Sequence, residues 1–222
     1  MGHKVHPIAF RLAVTHNWAA RWFSKDALPA LLREDVQIRE FLMKTLKDAL
    51  VDRVEIERTR QVVTLTIFSA KPGVVIGRAG AGIEQIRKQI LQRFYRGRKV
   101  SIQVNVKEIQ HPVLSAAIVG QQIAVDIEKR LPFRRSMKQT IEKVMKGGAQ
   151  GVKVILGGRL NGAEIARTEM IAQGKIPLHN LRADIDFARV RAETIYGTIG
   201  IKVWINRGEI FDKVSAHETE TN

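Results

Sequence analysis

The residues with the clearest chemical potential lie in a glycine-rich segment, VVIGRAGAGI, at residues 74–83. Gly77 and Gly80 bracket two residues, which gives the pattern Gly-x-x-Gly between an expected strand and an expected helix. Glycine permits backbone geometry that other residues avoid, and it lets another backbone approach closely. A helix N-terminus favours phosphate through its free N–H groups and its dipole, and Arg78 adds a positive charge. The segment therefore indicates a phosphate-binding turn.

The spacing excludes two other phosphate-binding turns. A dinucleotide fingerprint needs Gly-x-Gly-x-x-Gly in a βαβ unit, whereas these glycines run Gly-x-x-Gly-x-Gly. A P-loop needs a terminal Gly-Lys-Ser/Thr, which is absent. A glycine-rich connection without a ligand is one remaining alternative. The other is the loop of a KH module, which clamps a short stretch of single-stranded RNA backbone and which the order of the flanking elements favours.

A second candidate is a cluster of basic residues in the middle of the chain. Arg134, Arg135 and Lys138 are spaced so that a helix gathers them within about 100° of one face. Between residues 129 and 146 there are seven basic side chains, and Glu142 is the only acid. A solvated charged face is the alternative, but so concentrated a cationic surface favours an anionic partner.

A third candidate is the basic run at residues 87–99, with six basic side chains and no acid. Phe94 continues an apolar helical stripe and is expected to pack in a core. Tyr95 is a candidate for stacking on a base, with packing as the alternative.

Catalytic, metal and cofactor sites are not predicted. Three pairs of acidic or histidine residues have suggestive spacing, but they lack a partner base, nucleophile or further ligand and are interpreted as structural, interfacial or phosphate-facing: Glu164 with Glu169, His3 with His6, and Asp184 with Asp186. The chain contains no cysteine, which excludes disulfides and thiolate chemistry and fits a reducing compartment.

The composition points to a polyanionic partner. Thirty-seven Lys and Arg stand against 22 Asp and Glu, a formal charge of +15, while 45% hydrophobic residues fit a packed core. Nucleic acid is the first expectation and an anionic membrane surface the second. The sequence shows neither a secretory signal nor an apolar run of about 20 residues, so we expect a cytosolic protein.

Two α+β domains are expected to position these residues. From residue 33 onward, hydrophobic periodicity predicts the order α-β-β-α-β, with a first helix at 33–50 and the glycine turn before the second. The second domain is predicted to contain two helices, 116–131 and 134–146, separated by Pro132, and a small sheet with strands at 152–156, 184–190 and 199–205. The predicted boundaries are an N-terminal arm at 1–16, the domains at 17–108 and 109–210, and a flexible tail at 211–222.

Several long motifs occur together in one order along nearly the whole chain. They are GHKVHP at residues 2–7, IGRAG at 76–80, FRRSMK at 133–138, GRLNGAEIARTE at 158–169, LHNLRADID at 178–186 and YGTIGIKVWI at 196–205. In these motifs the chain resembles the bacterial-type family of small-subunit ribosomal protein three, which has a type II KH domain followed by a C-terminal domain.

The resemblance implies a structural component of the head of the small ribosomal subunit, without enzymatic activity. It would bind small-subunit rRNA and border the site where mRNA enters, contacting and helping to unwind the message. The implied protein neighbours are small-subunit proteins ten and fourteen, with number two nearby, and no membrane. The implied RNA-binding loop is Gly77, Arg78, Ala79 and Gly80; the implied mRNA face is Arg134, Arg135 and Lys138; candidate rRNA contacts are Lys4, Arg11, Arg87, Lys88, Arg96, Arg98, Lys99, Arg159 and Arg167.

The sequence departs from the family pattern at a few positions. Ala9, Ala13 and Asn161 stand where relatives usually carry glycine, and the loop has one basic residue, Arg78, where two are common. The alternative functions are a free-standing RNA-processing enzyme that uses a KH module for substrate capture, and a free RNA chaperone. The enzyme would need a metal or acid–base cluster, which the sequence does not show.

Overall fold

The computed structural model describes residues 4–59, 61–96, 98 and 100–211 of the chain. The chain divides into a first unit, Trp18–Pro112, and a second unit, Met1–Asn17 together with Val113–Asn222. Each unit contains helices packed on a four-stranded sheet, which confirms the predicted α+β class. Lys99 and the predicted tail from residue 212 lie outside the described residues, as do Gly2 and His3.

The helices and strands up to residue 108 belong mostly to the first unit. In chain order they are α1 (Pro7–Phe10), β1 (Ala20–Arg21), α2 (Leu28–Thr45), β2 (Val51–Arg58), β3 (Val62–Ser69), α3 (Pro72–Ile76), α4 (Ala81–Phe94) and β4 (Ser101–Glu108). All but α1 belong to the first unit.

The first unit is built on the strand order β1-β2-β3-β4. β2 and β3 form an antiparallel pair, whereas β4 runs parallel to β3. Parallel neighbours need a long crossover, and α3, the glycine turn and α4 supply it. The core joins the two long helices to one face of the sheet through buried residues that include Ile38, Leu42, Ile56, Leu65 and Ile90.

Two expectations for the first unit need correction. The residues before Gly77 form the short helix α3 rather than a strand, because Pro72 supplies the fixed φ of a helical first turn. The first long helix begins at Leu28, five residues earlier than predicted, again with a proline in its first turn, and it ends at Thr45. The glycine turn therefore joins two helices.

The second unit continues after Pro112. Its elements are α5 (Ala116–Glu128), α6 (Phe133–Lys146), β5 (Gly151–Gly158), β6 (Arg167–Gly174), β7 (Ala183–Thr194) and β8 (Gly197–Glu209). The Ser115 side chain accepts a hydrogen bond from the Ile118 N–H and so caps α5. As predicted, the two helices are separated at Pro132, and Gly147 follows the last residue of α6.

The sheet of the second unit is antiparallel throughout, with the order β6-β5-β8-β7. α5 packs on β7 and β8, and α6 packs on β5 and β6. Alternate residues of β5 and β8, including Val154, Leu156, Ile201 and Val203, are buried against these helices. The intervening residues consequently point to the opposite face of the sheet.

The glycine- and charge-rich stretch 157–180, in which the sequence pattern predicts no strand, contains the whole of β6. This strand lies at an edge of the sheet, and most of its residues are exposed. A strand with little burial on either face lacks the apolar alternation by which strands are recognised in a sequence.

Candidate nucleic-acid interface

The glycine turn has the backbone geometry that its composition predicts. Gly77 has φ 71° and ψ −175°, a region that only glycine adopts readily, and Gly80 has φ 80°. Ala79 between them also lies in the left-handed region, with φ 50°. Arg78 and Ala79 are exposed. The four residues therefore form a protruding turn that presents one cation next to the start of α4.

Close backbone packing explains the glycines around the turn. A Cβ on Gly82 would lie 2.5 Å from the carbonyl oxygen of Val75, and a Cβ on Gly77 would lie 2.9 Å from the backbone nitrogen of Gly82. Gly80, the N-cap of α4, has no side chain to accept the first N–H groups of the helix. The turn thus brings an exposed arginine and a helix N-terminus with no side-chain cap to one place, an arrangement suited to an anion.

The basic run after the turn is divided among several environments. Lys88 and Arg96 are exposed, whereas Arg87 is half-buried and its Nη1 donates to Glu84 at 3.4 Å. The Nη1 of Arg98 donates to Glu34 at 2.6 Å. Among the described rRNA-contact candidates of this run, Lys88 and Arg96 are accordingly the exposed ones without an acidic hydrogen-bond partner.

Tyr95 is a core residue, which excludes the candidate role in base stacking and supports the packing alternative. Its side chain is 4% exposed and belongs to the core of the first unit. Burial raises the pKa of its hydroxyl. Phe94 packs against the same core, as predicted, with its ring centroid 6.1 Å from that of Phe41.

A buried ionic network holds the beginning of α2 to the sheet of the first unit. Asp35 is fully buried and accepts hydrogen bonds from Trp22 Nε1 at 2.7 Å and from Arg58 Nε at 2.8 Å. Glu34 accepts from Arg58 Nη1 at 3.1 Å and also from Arg98. Although burial opposes it, hydrogen bonding to Asp35 contributes to a raised pKa for Arg58. Sequence reasoning missed this network, because Glu34 and Asp35 are adjacent in the helix and nothing in the local sequence shows that Asp35 is the buried one.

The basic face of α6 is formed as predicted. Arg134, Arg135 and Lys138 are exposed on the helix, and the adjoining stripe that includes Met137 and Ile141 is buried. The three cations therefore project from a helix whose opposite side is fixed in the core.

The edge strand β6 brings further charges to this face. Arg134 Nη2 donates to Glu169 at 2.9 Å, and Arg167 Nε lies 3.9 Å from the same carboxylate. The hydrogen bond from Arg134 lowers the pKa of Glu169. Glu169 thus holds two arginines in place, while Arg135 and Lys138 have no ion pair with any residue that the structure describes.

Arg11 has a structural position rather than a surface one, which corrects its assignment as an rRNA contact. Its side chain is 0% exposed. Nε donates to the Ala183 carbonyl at 2.7 Å, Nη1 to the Pro7 carbonyl at 3.0 Å and Nη2 to the Asn180 carbonyl at 2.7 Å. A guanidinium occupied by carbonyl groups inside the protein does not bind phosphate. The N-terminal segment is therefore anchored to the second unit by this residue.

The remaining candidates differ in accessibility. Lys4 is exposed. Arg159 is half-buried, and its Nε donates to the Ala163 carbonyl at 2.8 Å, so it supports the loop after β5. The ring of His6 stacks edge-on against Phe187, with centroids 4.9 Å apart.

Within the part of the chain that the structure describes, no group of three or more His, Cys, Asp or Glu residues is arranged to hold a metal ion. None of the described helices combines the length and hydropathy of a membrane span.

Comparison with known proteins agrees with this architecture. The KH domain model matches residues 37–114, and the model for the C-terminal domain of ribosomal protein S3 matches residues 123–205. The small ribosomal subunit protein uS3 of Oenococcus oeni is 49% identical over 214 residues, covering 94% of this chain and 80% of the relative. The proteins of the same name from Burkholderia cenocepacia and Burkholderia vietnamiensis are 46% identical over 221 residues, covering 99% of this chain and 82% of each relative. The two domain models match in order along the chain, and relatives of 46–49% identity cover 94–99% of it. The chain therefore belongs to the uS3 family of small ribosomal subunit proteins.

Proposed function

We propose that this chain is a structural component of the small ribosomal subunit, that it binds small-subunit rRNA, and that the basic face of α6 borders the site where mRNA enters. Membership of the uS3 family supports the first part and, with it, a non-enzymatic role in the cytoplasm. The observation that carries the proposed place at the mRNA entry site is the exposed trio Arg134, Arg135 and Lys138 on a helix fixed in the core.

The chemistry of this face suits a moving, single-stranded message. Arginine and lysine contact phosphates without reading bases, so they bind any sequence. Arg134 is oriented by Glu169, while Arg135 and Lys138 have free charges within the described structure. A row of cations on a helix fixed in the core would hold the backbone of an incoming strand and favour the unpaired form over a hairpin. The neighbours that we propose from family resemblance are small-subunit proteins ten and fourteen, with number two nearby.

The triple substitution Arg134→Ala, Arg135→Ala and Lys138→Ala tests this role. We expect subunits that assemble normally but translate messages with stable hairpins more slowly, while unstructured messages are translated at the usual rate. Affinity for single-stranded RNA should fall about fivefold or more for each lost phosphate contact at ~0.1 M salt. The charge-matched control replaces the exposed residues Lys44, Lys47 and Lys71 with alanine. Equal rates on structured messages for the triple variant and the wild type would contradict the proposed role.

The turn at Gly77–Gly80 is proposed to clamp a short stretch of single-stranded RNA. In Gly77→Asp, a side chain enters a φ/ψ region that costs other residues about 1–3 kcal/mol. Its Cβ would also lie 2.9 Å from the Gly82 nitrogen, and the new carboxylate would repel phosphate. We therefore expect affinity for a short single-stranded RNA to fall about tenfold or more.

Gly73→Asp is the matched control for this prediction. It adds the same charge four residues earlier, at a position where a Cβ meets nothing within 4 Å and φ is not positive. A much smaller loss is expected, because only the electrostatic part remains. If Gly77→Asp binds the RNA as tightly as the wild type does, the turn is not the clamp.

A further inference from the structure

The sheet of the second unit has a second face, opposite α5 and α6, that carries an unusual set of side chains. Its strand register aligns three rows across the sheet. The rows are Phe187, Trp204, Lys153 and Ala172; then Arg189, Lys202, Ile155 and Met170; then Arg191, Gly200, Gly157 and Thr168. We call this surface the outer face.

Four cations of the outer face have no acidic partner among the described residues. Lys153, Arg189, Arg191 and Lys202 form no ion pair with any residue in ranges 4–59, 61–96, 98 and 100–211. Arg189, Arg191 and Lys202 are exposed, and Lys153 is half-buried. The register of the described strands assigns two acids to this face, Glu193 near the end of β7 and Glu209 at the end of β8, opposite Ala183.

Arg189 and Lys202 are direct cross-strand partners. Like charges placed opposite each other destabilise a sheet, since their Cβ atoms lie only about 4.5–5.5 Å apart. Arg191 follows Arg189 on the same face of β7, about 7 Å further along the strand. This triangle of cations is unfavourable for the free protein, and an anion bound among them would relieve the repulsion.

The row beside these cations contains two glycines that internal packing does not require. Gly157 and Gly200 pair across β5 and β8, next to Arg191. A Cβ on Gly200 would meet nothing closer than 3.8 Å, and a Cβ on Gly157 nothing closer than 3.6 Å. Neither residue has a positive φ. Glycine weakens a strand and often marks a place where a ligand or another backbone comes close. Gly157 and Gly200 therefore leave a patch of backbone without side chains beside the cations, which we call the floor.

Two aromatic rings lie next to the Arg189–Lys202 row, on the side away from the glycines. Lys153 Nζ lies 5.4 Å from the centroid of the Trp204 ring, and Arg189 lies over Phe187 at 5.5 Å. The rings of Phe187 and Trp204 are 4.9 Å apart. The charged ends of Lys153 and Arg189 therefore lie against a pair of packed aromatic rings, while Arg191 and Lys202 are exposed beside them.

We propose that the outer face binds the sugar-phosphate backbone of rRNA, with Gly157 and Gly200 as the floor and Arg189, Arg191 and Lys202 as the phosphate ligands. The inference rests on the proposed function, because it assumes an rRNA partner, but it assigns a surface separate from the glycine turn and from the face of α6. A polyanion is the partner that this face favours, since Arg189, Arg191 and Lys202 are exposed close together at regular strand steps, which suits the regularly spaced charges of a phosphate backbone.

The decisive substitution is Gly200→Val in the full chain, with Gly200→Ala as the graded variant. The melting temperature should stay the same or rise, because a β-branched residue suits a strand and the space is open. Affinity for purified small-subunit rRNA should nevertheless fall, about tenfold for valine and less for alanine. If the affinity falls only in variants whose melting temperature also falls, the proposal is overturned.

Charge removal gives an independent measurement. In Arg189→Ala with Lys202→Ala, the slope of log K against log salt should become shallower by about 1.5, because each phosphate contact contributes about 0.7–0.9. Lys44→Ala with Lys47→Ala is the control and should leave the slope unchanged. If the wild type binds rRNA and the Arg189/Lys202 variant keeps its slope, the outer face is not a phosphate site, although the proposed function stands. If the wild type itself does not bind rRNA, the proposed function fails.

The nature of the partner is tested by cross-linking in assembled small subunits. The chain has no cysteine, so Lys202→Cys introduces a single attachment point for a photoreactive group. Cross-links to rRNA are expected. Cross-links to a protein instead, or none to RNA, would overturn the assignment.

Discussion

Replacing Arg11 with methionine is expected to lower the free energy of unfolding of the second unit by about 3–5 kcal/mol. The guanidinium is fully buried and donates to the carbonyls of Pro7, Ala183 and Asn180. Methionine fills a similar volume without any donor, so these acceptors are left unsatisfied. Each buried unsatisfied group costs about 1–3 kcal/mol.

The variant Arg11→Lys tests whether the positive charge stabilises the protein without the hydrogen-bonding geometry of the guanidinium. Lysine keeps the positive charge, but its single ammonium cannot replace a planar fork that reaches carbonyls on different segments. It should recover less than half of the loss. The measurements are urea unfolding of the full chain and hydrogen exchange of the β7 amides. An unchanged unfolding midpoint for Arg11→Met would show that the buried bonds add no net stability.

Asp35→Ala is expected to destabilise the first unit by about 3 kcal/mol. It removes the carboxylate that accepts from Trp22 and from Arg58, and Arg58 is itself only 7% exposed. Breaking a buried ion pair costs about 3–5 kcal/mol, because one charge is left without its partner. We expect the lower end of this range, since Glu34 still contacts Arg58 at 3.1 Å.

The double variant Asp35→Ala with Arg58→Met provides the control. Removing both charges should recover part of the stability, because an apolar replacement of a buried pair is often tolerated. The indole N–H resonance of Trp22 should shift in Asp35→Ala, which reports the lost bond directly. Additive effects of the two substitutions on unfolding free energy would contradict the network.

Much of the fold could be predicted because its elements have a clear periodicity. The basic face of α6 and its buried stripe, the alternation of β3 and β8, and the breaks at Pro132 and Gly147 all follow from local sequence. These elements bury one face and expose the other, so the pattern of side chains reveals their position.

The features that could not be predicted depend on contacts between distant segments. Arg11 reaches the carbonyl of Ala183, 172 residues away, and nothing in its neighbourhood marks it as buried. Asp35 is buried by the approach of Trp22 and Arg58, and β6 is an exposed edge. In each case the tertiary partner, rather than the local sequence, determines the environment.

Two departures from the family pattern have a visible backbone consequence. Ala13 has φ 64° and Asn161 has φ 54°, both in the left-handed region that glycine adopts without strain. Asparagine tolerates this region better than alanine does. Ala9, by contrast, lies in the helix α1, where glycine has no advantage.

The central claim, that folded cationic surfaces bind this chain to small-subunit rRNA, is tested most directly by equilibrium binding of the purified full chain to that rRNA across a salt series. At ~0.15 M salt the chain should bind, and log K should fall linearly as log salt rises, with a slope that reflects several released counterions. Absence of binding at that salt, or an affinity indifferent to salt, would contradict the account.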